Sequence, residues 1–439
     1  MIPTMRNHSE GDTHPLSISD DFGLLLEGTN NPQNISFEVV MTGHLDVVRL
    51  QAAVASAVDA HTRMRARLVT REGGTLQWQI GKRQPVPVSL YACGAPSEMH
   101  EVRGRVLNDR MDIAHGSLRV MILRDASHDC VLFAVHHAVC DGMGTLRFVT
   151  SVLRRYAGAP DPIEHATPLQ PLPDPGNALS ARKRFAPLLE HLQPSLRQKR
   201  VAIASVGADL AHDNRFTFRT FDRDSLRRAR EALCNSSRRE ETAPTINDVL
   251  LSALHVAIER WNQRFGVVSE LIAIVSPVNV RPAQHATEPL GNYSSALATA
   301  TTPSERASLA EAARSVTRQT SAFKDWKTAH AMFRWMNRAP RPTGVVRSLA
   351  RVAVSRSSGT AILSNLGHLE HSDFPLDLGA LKVCDVRFAP PMPEGVGLAV
   401  GVAFVDGSCS LTFRYRASQF GASAAEDFAD LLCETLRSN

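Results

Sequence analysis

Residues Val135-His136-His137-Ala138-Val139-Cys140-Asp141-Gly142 stand at a join between two kinds of sequence. Before them, Cys130-Val131-Leu132-Phe133-Ala134-Val135 is a short, unbroken apolar run. With no polar alternation, it predicts a strand buried on both faces. After them, Leu146, Val149, Leu153 and Tyr156 recur at helical spacing, and Gly158 and Pro160 close the segment. Two histidines, an aspartate and a glycine therefore fall where a central strand ends and a helix begins. Rigid elements hold side chains well, and a helix N-terminus presents free N–H groups to developing negative charge.

The pattern His-His-x-x-x-Asp-Gly at 136–142 resembles the signature of acyltransferases related to chloramphenicol acetyltransferase. That superfamily includes condensation domains of nonribosomal peptide synthetases and alcohol, wax-ester and polyketide-associated acyltransferases. Other stretches are similar to family segments. They include Leu45-Asp46, Leu50, Ala53, His61 and Arg65 near the start, and Pro277-Val278-Asn279-Val280-Arg281-Pro282 later. Gly291-Asn292 and Ser364-Asn365-Leu366-Gly367 complete the set, so the likeness runs from about residue 20 to the end. The fold it implies is α/β: two chloramphenicol-acetyltransferase-like lobes, each a mixed sheet with flanking helices, set as a V-shaped pseudo-dimer. The expected division is 1–175 for the lobe carrying the motif and 176–439 for the lobe completing the active-site channel.

Composition fits an ordinary globular protein. The 439 residues are 43% hydrophobic and 21% charged, enough for more than one core. No apolar run approaches the roughly 20 residues of a membrane span, so no span is expected. Met1 to His14 lacks an apolar signal core. Seven cysteines scattered without a Cys-x-x-Cys pair fit reduced thiols in the cytoplasm, not a disulfide frame or a metal site. A net charge of +5 without a basic, aromatic-laced stripe does not call for nucleic acid. It suits an anionic donor or an acidic carrier protein, though ordinary scatter of charge explains it equally well.

Along the chain, residues 1 to 20 read as loose. Ile35 to Met41 reads as a strand with Ser36 and Glu38 on the polar face, and Asp46 caps the helix that follows. Leu76 to Ile80 and Val86 to Tyr91 are strand candidates, Ser97 to Asp109 a helix, and Leu118 to Arg124 a strand joined by a hairpin to the motif strand. Six prolines between Ala159 and Gly176 mark a linker, and Arg182 to Arg200 is basic and partly helical. Phe216 to Phe221 is a strand, Thr245 to Asp248 a capping box, and Leu271 to Val275 a buried strand. Thr360 to Leu363 leads into the Ser-Asn-Leu-Gly segment. Val396 to Tyr415 is a hairpin about Asp406-Gly407, and Ser423 to Leu436 a closing helix.

Acyl transfer from a thioester needs neither a metal nor a covalent enzyme nucleophile, because the carbonyl is already activated. It needs a base for the acceptor proton, stabilisation of the oxyanion, and a proton for the leaving thiolate. One imidazole serves as base and then as acid. The resemblance assigns that role to His137 and a structural hydrogen-bonding role to His136. For Asp141 it implies an ion pair holding the loop, with Arg281 the preferred partner and Arg65 the second candidate. An orienting role toward His137 is the competing reading of Asp141. Gly142 is expected to let the backbone turn toward substrate, with its N–H facing the oxyanion. Asn292, Ser364 and Asn365 either line the substrate channel or satisfy local backbone turns.

Cys140 has no partner pattern for a nucleophile. Asp21-Phe22-Gly23 resembles a plant acyltransferase motif at the wrong end of the chain and reads as coincidence. No cofactor is expected to be held tightly, since coenzyme A or a phosphopantetheine thioester is a co-substrate. The expected partners are a small-molecule acceptor and acyl-CoA or an acyl carrier protein, acting on a monomer in secondary metabolism. The alternatives are a free-standing condensation enzyme of nonribosomal peptide or polyketide biosynthesis, and a non-catalytic carrier-protein docking module on the same fold.

Overall fold

The computed structural model describes residues 11–28, 31–71, 74–81, 85–162, 201–209, 211, 213–236, 242–281, 290–323, 333, 347–348, 359–369 and 374–437. The first half runs β1 (Thr13–Pro15), α1 (Ile18–Leu26), β2 (Asn34–Met41), α2 (Val47–Ala60), β3 (Ala66–Thr70), β4 (Leu76–Ile80), β5 (Val88–Ala92), α3 (Pro96–Asn108), β6 (Leu118–Arg124), β7 (Asp129–His136) and α4 (Gly142–Ala157). The second runs β8 (Asn214–Asp222), α5 (Arg223–Ser236), α6 (Ile246–Arg264), β9 (Ile272–Asn279), β10 (Ser294–Thr301), α7 (Leu309–Phe323), β11 (Ala361–Leu369), β12 (Val383–Ala389), β13 (Leu398–Val405), β14 (Ser408–Arg416) and α8 (Ala422–Arg437).

Two mixed sheets carry the architecture. One has five strands in the order β12-β2-β7-β6-β5, with β5 parallel to β6 and the other pairs antiparallel. The other has six, β10-β9-β11-β13-β14-β8, with β11 parallel to both neighbours. A three-stranded sheet, β1-β4-β3, flanks the first. Each large sheet has its own apolar core, one around Phe37, Phe133 and Phe148, the other around Trp261, Phe413 and Phe428. The exchange of β12 ties them: this strand comes from the second half of the chain but pairs with β2, Ala389 opposite Ser36.

β7 is buried at all eight positions, as an unbroken apolar run should be at the centre of a covered sheet. α4 ends at Gly158, Thr245 and Asp248 form a reciprocal capping box, and Asp406 and Gly407 close the β13–β14 hairpin with positive φ at both.

Three readings need correction. Residues 11–20 carry regular structure, with Ser17 capping α1 in a capping box with Asp20, while residues 1–10 lie outside the described residues. β2 is not half polar, since Ser36 and Glu38 are both buried. Glu38 is tolerated because Arg103 binds it with two hydrogen bonds, 2.6 and 2.7 Å, and Arg387 adds a third at 2.9 Å. Ser364 to Gly367 does not leave the sheet. β11 continues to Leu369, absorbing an irregularity between Asn365 and His368. The linker beyond residue 162 and the basic stretch Arg182 to Arg200 lie outside the described residues.

Candidate active site

The loop from His136 to Gly142 is held at nearly every backbone group. The His136 ring is fully buried. Its Nδ1 lies 3.1 Å from the Ala138 N–H, which can only donate. The ring proton therefore sits on Nε2, which donates to Glu27 Oε1 at 3.1 Å. Burial pushes the Glu27 carboxyl up. The His136 bond and Arg110, 3.0 Å away, outweigh that and hold it below the usual carboxylate range.

His137 donates its main-chain N–H to the Gln33 carbonyl at 2.8 Å, and its own carbonyl accepts from Asn292 Nδ2 at 2.9 Å. The residue as a whole is half-buried. Nδ1 points inward and has no hydrogen bond of normal geometry among the described residues. Burial pushes the His137 pKa below that of a free imidazole, opposed by the Asp141 charge and by the main-chain carbonyls of His137 and Cys140. At neutral pH the ring is thus uncharged, the state a proton acceptor needs.

Asp141 does not reach toward His137. Arg281 grips it in a two-point ion pair, Nη2 to Oδ1 at 2.7 Å and Nη1 to Oδ2 at 3.0 Å. The remaining carboxylate capacity takes the Gly144 N–H and the Tyr293 N–H, each at 2.8 Å. Burial would push this carboxyl up, but Arg281 and the two N–H donors hold it below its ordinary range. Arg281 also donates to the Gly291 carbonyl at 2.9 Å and lies over the Tyr293 ring at 5.0 Å. Arg65, the second candidate partner, makes no bond to Asp141.

The nearby Arg63 does different work. Its Nε donates to the Val139 carbonyl at 2.8 Å and its Nη2 to Ala138 at 3.3 Å, while the guanidinium pairs with Asp20 and lies 4.7 Å over Trp78.

Asn292 ties the motif loop down. Buried at 5% exposure, its Nδ2 reaches the His137, Ala138 and Asp20 oxygens. Asn365 satisfies a local turn, its Oδ1 accepting the Gly367 N–H at 2.8 Å and its Nδ2 reaching Asn247. Ser364 pairs with Gly401 in β13, and its side chain makes no hydrogen bond among the described residues.

Gly142 has an ordinary negative φ. A Cβ there would stand 3.0 Å from Phe388 Cζ and 3.3 Å from Leu366 Cδ2. Close approach by side chains of the second half, not a special turn toward substrate, explains the glycine. As the first residue of α4, Gly142 has an N–H with no hydrogen-bond partner among the described residues; the same holds for Met143. Cys140 is buried, its thiol pushed up to about 12 by burial and its Sγ 3.5 Å from Thr145 Oγ1. Such a thiol is a poor nucleophile.

Sequence reasoning missed α1. Gly23 packs on the motif loop so closely that a Cβ would meet Ala138 N at 2.8 Å. Asp20 gathers Arg63, Asn292 and the Trp78 N–H. The capping spacing of Ser17 and Asp20 was a legible signal for the helix, though not for its target.

Comparison with known proteins bears on the fold. Residues 23–173 match the Condensation domain family model. An uncharacterized protein of Mycobacterium tuberculosis, Rv2305, is 28% identical over 442 residues, covering 95% of this chain and 96% of the relative. The trichothecene 15-O-acetyltransferase TRI3 of Fusarium sporotrichioides superposes with a TM-score of 0.72 at 12% identity, over 97% of this chain and 95% of that one. The starter condensation domain of rhizomide synthetase RzmA, solved as a variant with C8-CoA, gives 0.65 at 13% identity, over 97% and 94%. The resemblance drawn from the motif therefore stands. The chain has the fold shared by these condensation domains and the trichothecene 15-O-acetyltransferase: two lobes, each a mixed sheet with flanking helices.

Proposed function

We propose that this protein is an acyltransferase that moves an acyl group from a coenzyme A or carrier-protein thioester to a hydroxyl or amine. The observation carrying this reading is a half-buried His137 whose Nδ1 has no hydrogen bond among the described residues, standing a few residues before the Gly142 and Met143 N–H groups, which have no partner among the described residues. In this reading the accessible edge of His137 takes the proton of the acceptor as its oxygen or nitrogen attacks the thioester carbon. The Gly142 N–H steadies the oxyanion at the positive end of α4. Collapse breaks the C–S bond, and the thiolate leaves with the proton that His137 carried. Asp141 and Arg281 keep the loop in place without touching substrate. The lobes divide near residues 175 and 176, with β12 lent to the first.

Support comes from the condensation-family match over the motif lobe and from neighbours that include an acetyltransferase and a domain solved with an acyl-CoA. Coenzyme A and a phosphopantetheinyl carrier present the same reactive thioester, so both remain donors in this proposal. The sequence between β7 and α4 is compatible with a condensation enzyme as well. Among the described residues no helix is long and apolar enough to cross a membrane.

The test mixes purified protein with acyl-CoA and acyl-carrier donors and a panel of hydroxyl and amine acceptors, and follows free thiol. Acceptor-dependent release that His137→Ala loses is the expected result. Equal release by wild type and His137→Ala would overturn the assignment of the base. No release with any donor would favour a docking module.

A further inference from the structure

Arg414 sits in the middle of β14, 0% exposed, on the sheet opposite the one that carries His137. No carboxylate partners it among the described residues, and burial pulls its pKa down to about 9. An unpaired buried guanidinium is costly, so something specific must hold it there. Its bonds go only to main-chain carbonyls. Nη1 donates to Asn34 at 2.9 Å and to Pro390 at 3.3 Å, and Nη2 to Pro32 at 3.4 Å.

The sequence of β12 explains why those carbonyls need a donor. Ala389 pairs with Ser36. Continuing that register would set Pro390 and Pro391 opposite Ile35 and Asn34, and neither proline has an N–H to give. Arg414 supplies the missing donors from the other sheet. Its neighbours reinforce the join: Arg416 donates to Asn31 Oδ1 at 2.8 Å and Pro393 at 3.0 Å, and Gln33 Nε2 donates to Met392 at 3.1 Å.

The segment so held is the one that fixes His137. In extended chain, successive groups alternate sides. The carbonyls of Pro32 and Asn34 face Arg414, and the carbonyl between them, on Gln33, accepts the His137 N–H at 2.8 Å. We infer that Arg414 is a positioning residue for His137, acting through the main chain of Pro32 to Asn34, so that the second sheet sets the placement of the proposed base. This rests on the acyl-transfer reading for its catalytic consequence, but not for the structural coupling.

The test compares wild type with Arg414→Met and Arg414→Lys in the full chain, reading amide hydrogen exchange of the peptide through His137 beside one from α6. In Arg414→Met, exchange at His137 rises about tenfold or more while α6 is unchanged. Turnover falls about 10²-fold, the loss an ångström of misplacement can cause, with donor KM within about twofold. Arg414→Lys recovers part of both. The inference is overturned by a folded Met variant whose His137 exchange is unaltered, by exchange that rises evenly along the chain, or by a loss confined to KM. If Arg414→Met does not fold, the same exchange comparison is made on Arg414→Lys. If wild type transfers nothing from any donor, the functional reading falls, and the exchange of the resting protein still decides the coupling.

Discussion

His137 and His255 are both embedded histidines, one just past the central strand of the first sheet and the other on α6 against β10 of the second, and they differ in what their nitrogens meet. In α6, His255 is fully buried and both nitrogens are taken, by Thr299 Oγ1 at 3.0 Å and Thr301 Oγ1 at 2.8 Å. Burial, with the Arg306 charge added, pushes its pKa down to about 3. In the motif loop, His137 has its main chain tied on both sides, but the residue is only half-buried and its Nδ1 takes no hydrogen bond among the described residues. Burial makes both rings neutral. Only an open edge makes one of them usable, and that distinction separates a histidine that completes a core from one that can exchange a proton.

The sharpest way to break the comparison is to remove each ring. His137→Ala is expected to lower turnover by about 10²–10⁴ with little change in melting, because its ring anchors nothing. A normal rate would end the comparison. Next in size is Asp141→Asn. It leaves Arg281 buried without its charge partner and is expected to cost about 3–5 kcal/mol, seen as a fall in melting temperature and soluble yield as well as activity. If that variant melts normally and is inactive, Asp141 acts on His137 after all.

His255→Ala is expected to do the reverse of His137→Ala. Two threonine hydroxyls lose their partner, costing about 1–3 kcal/mol of stability in denaturant unfolding, with turnover of the folded fraction unchanged. The effect spread most thinly is the pH dependence, which builds up gradually over several pH units. His255 and His61 have folded pKa values near 3, below the unfolded value near 6.5. The unfolded chain therefore binds more protons across that window, and stability is lost as pH falls from 6.5 toward 3. Each contributes about 1.4 kcal/mol per pH unit. His255→Gln should flatten the acid limb of a melting-versus-pH curve; an unchanged limb would place the titration elsewhere. The depressed pKa of His137 adds in the same direction.

Much of the scaffold was legible because it obeys local rules. The apolar run of β7, the stripe of α4, the capping box at Thr245 and the Asp406-Gly407 turn all express periodicity or backbone preference within a few residues. What was misread depends on partners far along the chain. Glu38 reads as solvent-facing until Arg103 and Arg387 are brought against it. Gly142 reads as a turn until Phe388 is seen to fill the space of its side chain. Asn292 resembles a channel residue until its amide is found on the loop carbonyls.

The order of residues alone determined where a buried strand would meet a helix and which imidazole would stand at that join, since both follow from spacing along one short stretch. Tertiary structure decided which cation would neutralise Asp141, which of two adjacent histidines would be closed off by Glu27, and that a guanidinium from the second sheet would brace the strand behind the proposed base. Those choices turn on ångström-scale meetings between segments as much as 382 residues apart, and no local pattern encodes a distance of that kind.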